Sequence, residues 1–244
     1  MNEKVLRKTI RMLDKCEDIF LLILCLLVFL IGLYALADSY LVYQHANDSS
    51  ILKFKPGYEG EEPERPIVGN MAAWLTIDDT NIDYPVMQGE SNEEYLNKDP
   101  YGAYSLSGSI FLDSRNAADF SDGYSLIYGH HMEGGYMFGA LHSFLEQDFF
   151  ERHRHGELIV GDIAYEIEIF AVLDTEATQA HIFAPTEYRQ EEVLEYIQKN
   201  AAICDRTVCD RREEGKLLGM STCKYPDSVY RVVLFGMLTN PHKR

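Results

Sequence analysis

Residues 217–226 read LLGMSTCKYP, an apolar run that ends in a cysteine and gives way to a short polar turn. A second apolar run, YRVVLF at residues 230–235, follows the turn and carries Arg231 near its start. Short apolar runs separated by a polar turn containing proline are typical of neighbouring β-strands. The pattern predicts strands at about residues 216–221 and 230–238, with Cys223 and Arg231 near the turn between them.

A third chemically suited side chain lies about ninety residues earlier. Residues 126–132 read LIYGHHM, in which a predicted strand ends just before Gly129 and His130. A thiol, an imidazole and a guanidinium at strand ends suit acyl transfer: the thiol attacks, the imidazole moves the proton and the guanidinium holds the developing negative charge. Adjacent side chains of an extended strand point to opposite sides. Only one of His130 and His131 can therefore face Cys223.

Each of these residues also has an ordinary structural alternative. Cys223 could be a buried cysteine, His130 a turn cap and Arg231 the partner in a surface ion pair, although polar neighbours make the first alternative weaker. Ser221 and Thr222 are candidates for contacts with a substrate backbone. Asp113, which follows a predicted strand, could orient the histidine or only stabilise a turn.

Composition limits the classes of function. The chain has 244 residues, of which 46% are hydrophobic, and this is enough for one domain with a packed core and additional segments. Its formal net charge is -17. Such an acidic chain argues against general nucleic-acid binding, which needs a basic surface, and fits an ordinary solubilising surface.

Residues 19–37 read IFLLILCLLVFLIGLYALA and contain no charged side chain. As a helix they would be about 28 Å long, close to the hydrocarbon thickness of a bilayer. Basic residues are concentrated before this segment, at Lys4, Arg7, Lys8, Arg11 and Lys15. The positive-inside rule then predicts a single-pass membrane protein with residues 1–18 in the cytoplasm and the remainder outside the cell. A cleaved signal peptide is the alternative, but its apolar region is usually shorter.

The exported part of the chain holds three cysteines, Cys204, Cys209 and Cys223. An odd number leaves at least one thiol unpaired. Cys204 and Cys209 are close enough in sequence to pair, or they are two separate thiols near a helix end. No spacing of cysteine and histidine suggests zinc, no carboxylates clearly form a calcium loop, and no metal or other cofactor is expected.

Three further segments follow the apolar stretch. Residues 38–70 are predicted to hold a helical segment and an acidic linker punctuated by proline and glycine. Residues 71–244 are predicted to form the catalytic domain. In it, short strands are expected at residues 74–77, 84–86, 109–112, 125–128, 158–160 and 165–172, with helices at 137–144 and 191–203. Many short strands with few helices suggest a closed or nearly closed barrel.

With these motifs placed, the region from about residue 71 to 238 resembles the sortases, and class B sortases most closely. The cysteine motif of that family, Thr-Leu-x-Thr-Cys or a near relative, corresponds to GMSTC at residues 219–223, and it departs from the general form at the first two positions. The family's Gly-His corresponds to Gly129-His130, and its arginine on the following strand to Arg231. The long segment between the strands near Val172 and Leu217, with its helix, resembles class B. Supporting similarity lies in residues 74–77, 82–88, 95–97 and 137–141.

The resemblance implies a mostly β fold, an eight-stranded sortase-type β-barrel with a few helices, preceded by an N-terminal transmembrane helix. It implies a cysteine transpeptidase on the outer face of a Gram-positive cell, with His130, Cys223 and Arg231 as catalytic residues. Such an enzyme cleaves a C-terminal sorting signal of the Asn-Pro-x-Thr or Leu-Pro-x-Thr kind after Thr. It then transfers the protein to an amine of a peptidoglycan precursor (lipid II). A pilus-polymerising sortase, which uses a pilin Lys instead, is the alternative within the family.

Two alternatives lie outside the family. A cysteine peptidase of another fold would also use Cys and His, but papain-like enzymes place the cysteine before the histidine, and this chain has the opposite order. A surface-binding module without catalytic activity is the other.

Overall fold

The computed structural model describes residues 3–46, 49–60, 66–67, 70–209, 215–225 and 228–244. The chain divides into two compact units, Met1–Gln44 and His45–Arg244. The helix α1 runs over Glu3–Ala46. It therefore continues past residue 37, where the sequence predicted the end of the membrane segment, and a short 3₁₀ helix at Ser49–Phe54 forms the rest of the predicted helical segment.

The apolar side chains of α1 are exposed, as those of Phe20, Leu27 and Ile31 show. Within the described residues, this is the one helical stretch long and apolar enough to cross a membrane, judged by length and composition. Exposed apolar side chains on all faces of a helix are unfavourable in water and favourable in lipid. The helix therefore fits a membrane anchor.

The second unit is built on β-strands. Their bounds are β1 Asn70–Ile77, β2 Asp83–Gln88, β3 Ile110–Leu112, β4 Tyr124–Tyr128, β5 His155–Val160, β6 Ile163–Glu176, β7 Ile203–Cys204, β8 Lys216–Cys223 and β9 Tyr230–Lys243. Strand pairing runs in the order β1-β2-β3-β4-β8-β9-β6-β5, and β5 pairs again with β1, which closes a ring of eight strands. The two-residue β7 is a ninth strand at the side of β6. The predicted eight-stranded barrel is confirmed.

The apolar runs of the central strands are explained by burial on both faces of the sheet. In β8, Leu218 and Met220 belong to one buried cluster, whereas Leu217 belongs to a second cluster. The second cluster packs beneath α4, Gln190–Asn200, which contributes Val193 and Ile197. Strands covered on both faces read as continuous apolar segments, because side chains alternate between two buried surfaces.

The remaining helices are short. They are α2 Gln147–Arg152, α3 Ala180–Phe183, α5 Arg206–Cys209 and the 3₁₀ helices Glu94–Leu96, Glu133–Gly135 and Gly139–Leu145. Two predicted helices differ in extent. The helix predicted to reach residue 203 ends at Asn200, because Ala201 is extended and the chain then enters β7. The helix predicted from residue 137 starts at Gly139, since Met137 has a positive φ of 51° and pairs with His131 in a β-bridge.

Candidate active site

Strand pairing brings the three predicted residues to one end of the barrel. In the antiparallel pair of β8 and β9, Cys223 lies opposite Arg231. Residues directly opposite each other in such a pair point to the same face. In the parallel pair of β4 and β8, Tyr128 lies beside Ser221, so His130 and Cys223 each follow two residues later. The imidazole, the thiol and the guanidinium are thus carried by three adjacent strand ends.

A cleft of about 360 Å³ opens at this end of the barrel. Its lining consists of Asn92, Leu96, Phe111, Arg115, Tyr128, Gly129, His130, Ala177, Phe183, Ser221, Thr222, Cys223 and Arg231. Five of the six residues singled out from the sequence line this cleft, and Asp113 does not. Asn92, Leu96 and Arg115 had not been singled out, because they lie in connections between strands whose place in the fold no local pattern reveals.

His130 is held by its backbone and by one hydrogen bond. An added Cβ at Gly129 would lie 2.4 Å from Cδ1 of Ile110 and 2.8 Å from the ring of the buried Phe138, so a larger residue directly before this histidine would force the packed side chains to shift. The Nε2 atom of His130 donates to the backbone carbonyl oxygen of Leu96 at 2.8 Å. His131 points elsewhere: it lines a separate cleft of about 440 Å³. The alternation expected for adjacent residues is therefore observed, and His130 is the histidine in the cleft with Cys223.

Two backbone carbonyls, one just before β9 and one at its first residue, orient the guanidinium of Arg231. Its Nη1 donates to the backbone carbonyl oxygens of Ser228 and, at 3.1 Å, of Tyr230. In the described residues it forms no ion pair with a carboxylate. Several of the five N–H donors of a guanidinium thus remain for another partner, and the arrangement can place positive charge beside the thiol of Cys223.

Two residues that line the cleft have buried hydroxyl groups. Ser221 and Thr222 expose 1% and 2% of their surface, yet neither hydroxyl oxygen has a hydrogen-bond partner in the described part of the chain. A buried polar group without a partner costs about 1–3 kcal/mol. Both residues line the cleft beside Cys223, and because they are adjacent on β8 their side chains point to opposite faces of the strand.

Asp113 is fully buried and is the centre of a hydrogen-bond network. Its carboxylate accepts bonds from Arg115 Nε at 2.9 Å, Arg115 Nη2 at 2.8 Å, Tyr128 Oη at 2.9 Å and Asn92 Nδ2 at 2.9 Å. Burial alone would raise its pKa, but the bonds from Arg115, Tyr128 and Asn92 hold the pKa below its ordinary value of 3.8. The described structure shows no bond between Asp113 and His130. Asp113 instead fixes Arg115 and Tyr128, which line the cleft.

Replacing Asp113 with alanine is expected to lower the free energy of unfolding by about 2–4 kcal/mol, because the partly buried donors of Arg115, Tyr128 and Asn92 lose their buried acceptor. The contribution of the carboxylate is present above the pKa of the unfolded chain, and it is lost as pH falls through the lower pKa of the folded protein. Urea unfolding followed by fluorescence measures the change. Asp119→Ala, at an exposed turn, is the control and should change stability little. If Asp113 instead orients His130, folded Asp113→Ala would lose most of its turnover rate.

Two further predictions concern metal binding and the possible disulfide between Cys204 and Cys209. Within the described residues, no three His, Cys, Asp or Glu side chains are grouped so as to hold a metal ion. That no metal is needed stays a prediction. The possible pairing of Cys204 with Cys209 lies outside the described residues, since the side chain of Cys209 is not among them.

The sequence of this barrel matches a known family. A family model described as the Sortase domain matches residues 75–239. The chain belongs to the sortase family. Among curated relatives, Sortase B of Listeria monocytogenes is 34% identical over 158 residues, which cover 63% of this chain and 63% of that protein. Sortase B of Staphylococcus aureus is 30% identical over 192 residues, which cover 75% of each chain.

Solved structures agree with this assignment. A Streptococcus pyogenes class B sortase involved in pilus biogenesis is 38% identical, with a TM-score of 0.60, and the match covers 68% of this chain and 90% of that chain. The Staphylococcus aureus sortase B-substrate complex is 26% identical, with a TM-score of 0.62, and covers 70% and 80% of the two chains. The resemblance to class B sortases inferred from the cysteine, histidine and arginine motifs is therefore confirmed.

Proposed function

We propose that this sortase is a cysteine transpeptidase whose catalytic residues are Cys223, His130 and Arg231. The observation that carries the proposal is their meeting in one cleft, although they come from three strand ends separated by up to about a hundred residues of sequence. A thiol, an imidazole and a guanidinium in one cleft are the groups that acyl transfer requires.

The proposed reaction has two steps. The thiol of Cys223 passes its proton to His130, Sγ attacks the carbonyl carbon of the substrate's Thr, the C–N bond after Thr breaks, and His130 gives that proton to the leaving amine. The product is a thioester on Cys223. An acceptor amine then attacks that thioester and loses a proton to His130, the C–S bond breaks, and the released thiolate takes the proton back from His130. In both steps the guanidinium of Arg231 stabilises the negative charge that develops on the carbonyl oxygen.

We assign the substrate to proteins with a C-terminal sorting signal of the Asn-Pro-x-Thr or Leu-Pro-x-Thr kind. We assign contacts with the signal's backbone, which supplies both donors and acceptors, to Ser221 and Thr222, because both residues line the cleft beside Cys223. A Staphylococcus aureus relative has been solved as a complex with substrate. These facts support a peptide occupant of the cleft without fixing the sequence of the signal.

The proposed acceptor is the amine of a peptidoglycan precursor such as lipid II. A pilin Lys is a second candidate, which one observation favours: the Streptococcus pyogenes relative, at 38% identity, is involved in pilus biogenesis. The two acceptors would give the same thioester and differ only in the second step.

One experiment tests both steps. The full chain in detergent is mixed with peptides carrying each sorting signal, first without an acceptor and then with a wall-peptide amine or a Lys-containing pilin peptide. We expect cleavage after Thr, a thioester adduct on Cys223 by mass spectrometry, and a new amide with one class of acceptor. Absence of any adduct with every peptide would contradict the transpeptidase proposal, whereas the identity of the amide product distinguishes the acceptors.

We also propose that residues 1–18 lie in the cytoplasm, that residues 19–37 anchor the chain in the cell membrane, and that residues 71–244 act outside it. A protein lacking residues 1–37 is then expected to be soluble and to keep turnover of a sorting peptide within about threefold of the full chain. The basis is that every residue of the cleft belongs to the unit His45–Arg244. A truncated protein that is folded by circular dichroism but inactive would contradict this division.

A further inference from the structure

The edge of β8 that faces β4 loses its partner just before the cysteine. The backbone N–H of Gly129 donates to the carbonyl oxygen of Ser221 at 3.1 Å, and β4 has already ended at Tyr128. Carbonyls two residues apart on a strand point the same way. The next carbonyl along this edge belongs to Cys223, and it accepts a bond from the side chain of His142, with Nε2 at 3.1 Å. A side chain thus takes the place of a strand N–H at the residue that carries the thiol.

His142 is itself held in place from two sides. It lies in the 3₁₀ helix Gly139–Leu145, whose Leu141 and Phe144 are fully buried in the barrel cluster. Its ring packs against that of His131, with ring centroids 4.2 Å apart and planes inclined by 33°. Burial lowers the pKa of His131, and the neighbouring His142 lowers it further, while Glu133 acts in the opposite direction. A neutral His131 can pack on His142 without charge repulsion, so the contact helps to fix the His142 ring.

We propose that His142 is a positioning residue for the thiol of Cys223. By donating from Nε2 to the Cys223 carbonyl, it fixes the end of β8 relative to His130 and Arg231. The inference rests on the proposed function and deepens it, because it gives a part in the reaction to a residue that does not line the cleft. Small displacements of a reacting group can reduce rates by about a hundredfold, which is why a bond to the backbone of the nucleophile matters.

The variants separate the donor from the ring. His142→Phe keeps the packing on His131 and removes the donor, whereas His142→Gln keeps a donor near the position of Nε2 and removes the ring. The control is His153→Phe, because His153 also bonds a backbone carbonyl, that of Phe149 at 2.7 Å, and also stacks on an aromatic ring. The bond and the stack on Phe149 lie within α2 and its flank, and the other ring that His153 meets is that of Phe144, so none of these contacts involves β8.

For cleavage of a sorting peptide, we expect His142→Phe to lower kcat by about tenfold with KM within about twofold, corresponding to loss of about one hydrogen bond. His142→Gln should recover kcat to within about threefold of the original chain, and His153→Phe should stay within about twofold. The unfolding temperature of each variant shows whether a lower kcat is due only to lower stability of the fold. Equal kcat values for His142→Phe and His153→Phe, or for His142→Phe and His142→Gln, would overturn the proposal.

Two measurements do not depend on sortase activity. Histidine ¹⁵N NMR of the full chain should show a proton on Nε2 of His142, since a carbonyl oxygen only accepts. The rate of Cys223 alkylation by iodoacetamide at one fixed pH should change by about fivefold or more in His142→Phe and return in His142→Gln. A proton only on Nδ1, or unchanged alkylation in all variants, would overturn the positioning role. Alkylation that follows the expected order in a chain that cleaves no sorting peptide would refute the proposed function alone.

Discussion

Cys223→Ala is expected to reduce cleavage of a Thr-containing sorting peptide by about 10⁴-fold or more, because no thioester can form without the nucleophile. Cys223 is half-buried at the end of β8, where its thiol lines the cleft with His130 and Arg231. Alanine at this position removes one sulfur and leaves the strand pairing intact. The measurement is steady-state turnover, with circular dichroism to confirm the fold.

Cys204→Ala is the matched control. Cys204 is also partly buried in a strand, the two-residue β7, but it does not line the cleft. Its replacement should keep most of the rate, and the same is predicted for Cys209→Ala. Mass spectrometry should find the acyl adduct on Cys223, and an adduct on Cys204 or Cys209 would refute the assignment of the nucleophile.

The same thiol separates the proposed enzyme from the alternatives outside the family. Alkylation of Cys223 should abolish turnover, whereas a surface-binding module would bind its partner equally well before and after alkylation. The chain's membership of the sortase family makes a cysteine peptidase of another fold inconsistent with the structure.

Arg231→Lys is expected to be nearly as damaging as Arg231→Ala. If the guanidinium holds the oxygen that becomes negative, removing it should cost about 3–4 kcal/mol, or roughly 10²–10³ in kcat. Lysine keeps the charge but loses the planar fork of donors, which the backbone carbonyls of Ser228 and Tyr230 orient here. Turnover of the sorting peptide by folded protein measures the loss.

The control for this pair of variants is Arg152. It is an exposed arginine on α2 that also donates to a backbone carbonyl, that of Asp148 at 3.0 Å. Arg152→Ala and Arg152→Lys should leave kcat within about twofold, as expected for a surface side chain. A folded Arg231→Ala protein within about threefold of the original rate would remove Arg231 from the mechanism.

The hydrogen-bond partners of Asp113 and His130 could not be predicted from the sequence. Asp113 follows β3 and was a candidate to orient the histidine, yet its carboxylate is occupied by Arg115, Tyr128 and Asn92. The histidine's Nε2 bonds the Leu96 carbonyl instead. A hydrogen-bond partner depends on the three-dimensional path of the connections between strands, and the connection holding Asn92 and Leu96 has no periodic pattern from which that path can be read.

The sequence by itself determined the eight strands of the barrel, the apolar N-terminal helix, the family and the residue types available for chemistry. These follow from local features: side chains alternate along a strand with a fixed period, a bilayer needs about twenty apolar residues, and a short motif marks a reactive cysteine. The catalytic roles themselves remain predictions until the variants of Cys223 and Arg231 are measured.

Only the tertiary structure decided which side chains meet. The parallel pairing of β4 with β8 joins segments about ninety residues apart, and its register places His130 rather than His131 beside Cys223. It also leaves the Cys223 carbonyl beyond the end of β4, within reach of His142. A shift of one residue would exchange the two faces of the strand. Strand pairing and register arise from packing and hydrogen bonds between distant segments. They therefore cannot be predicted from the local pattern of either segment.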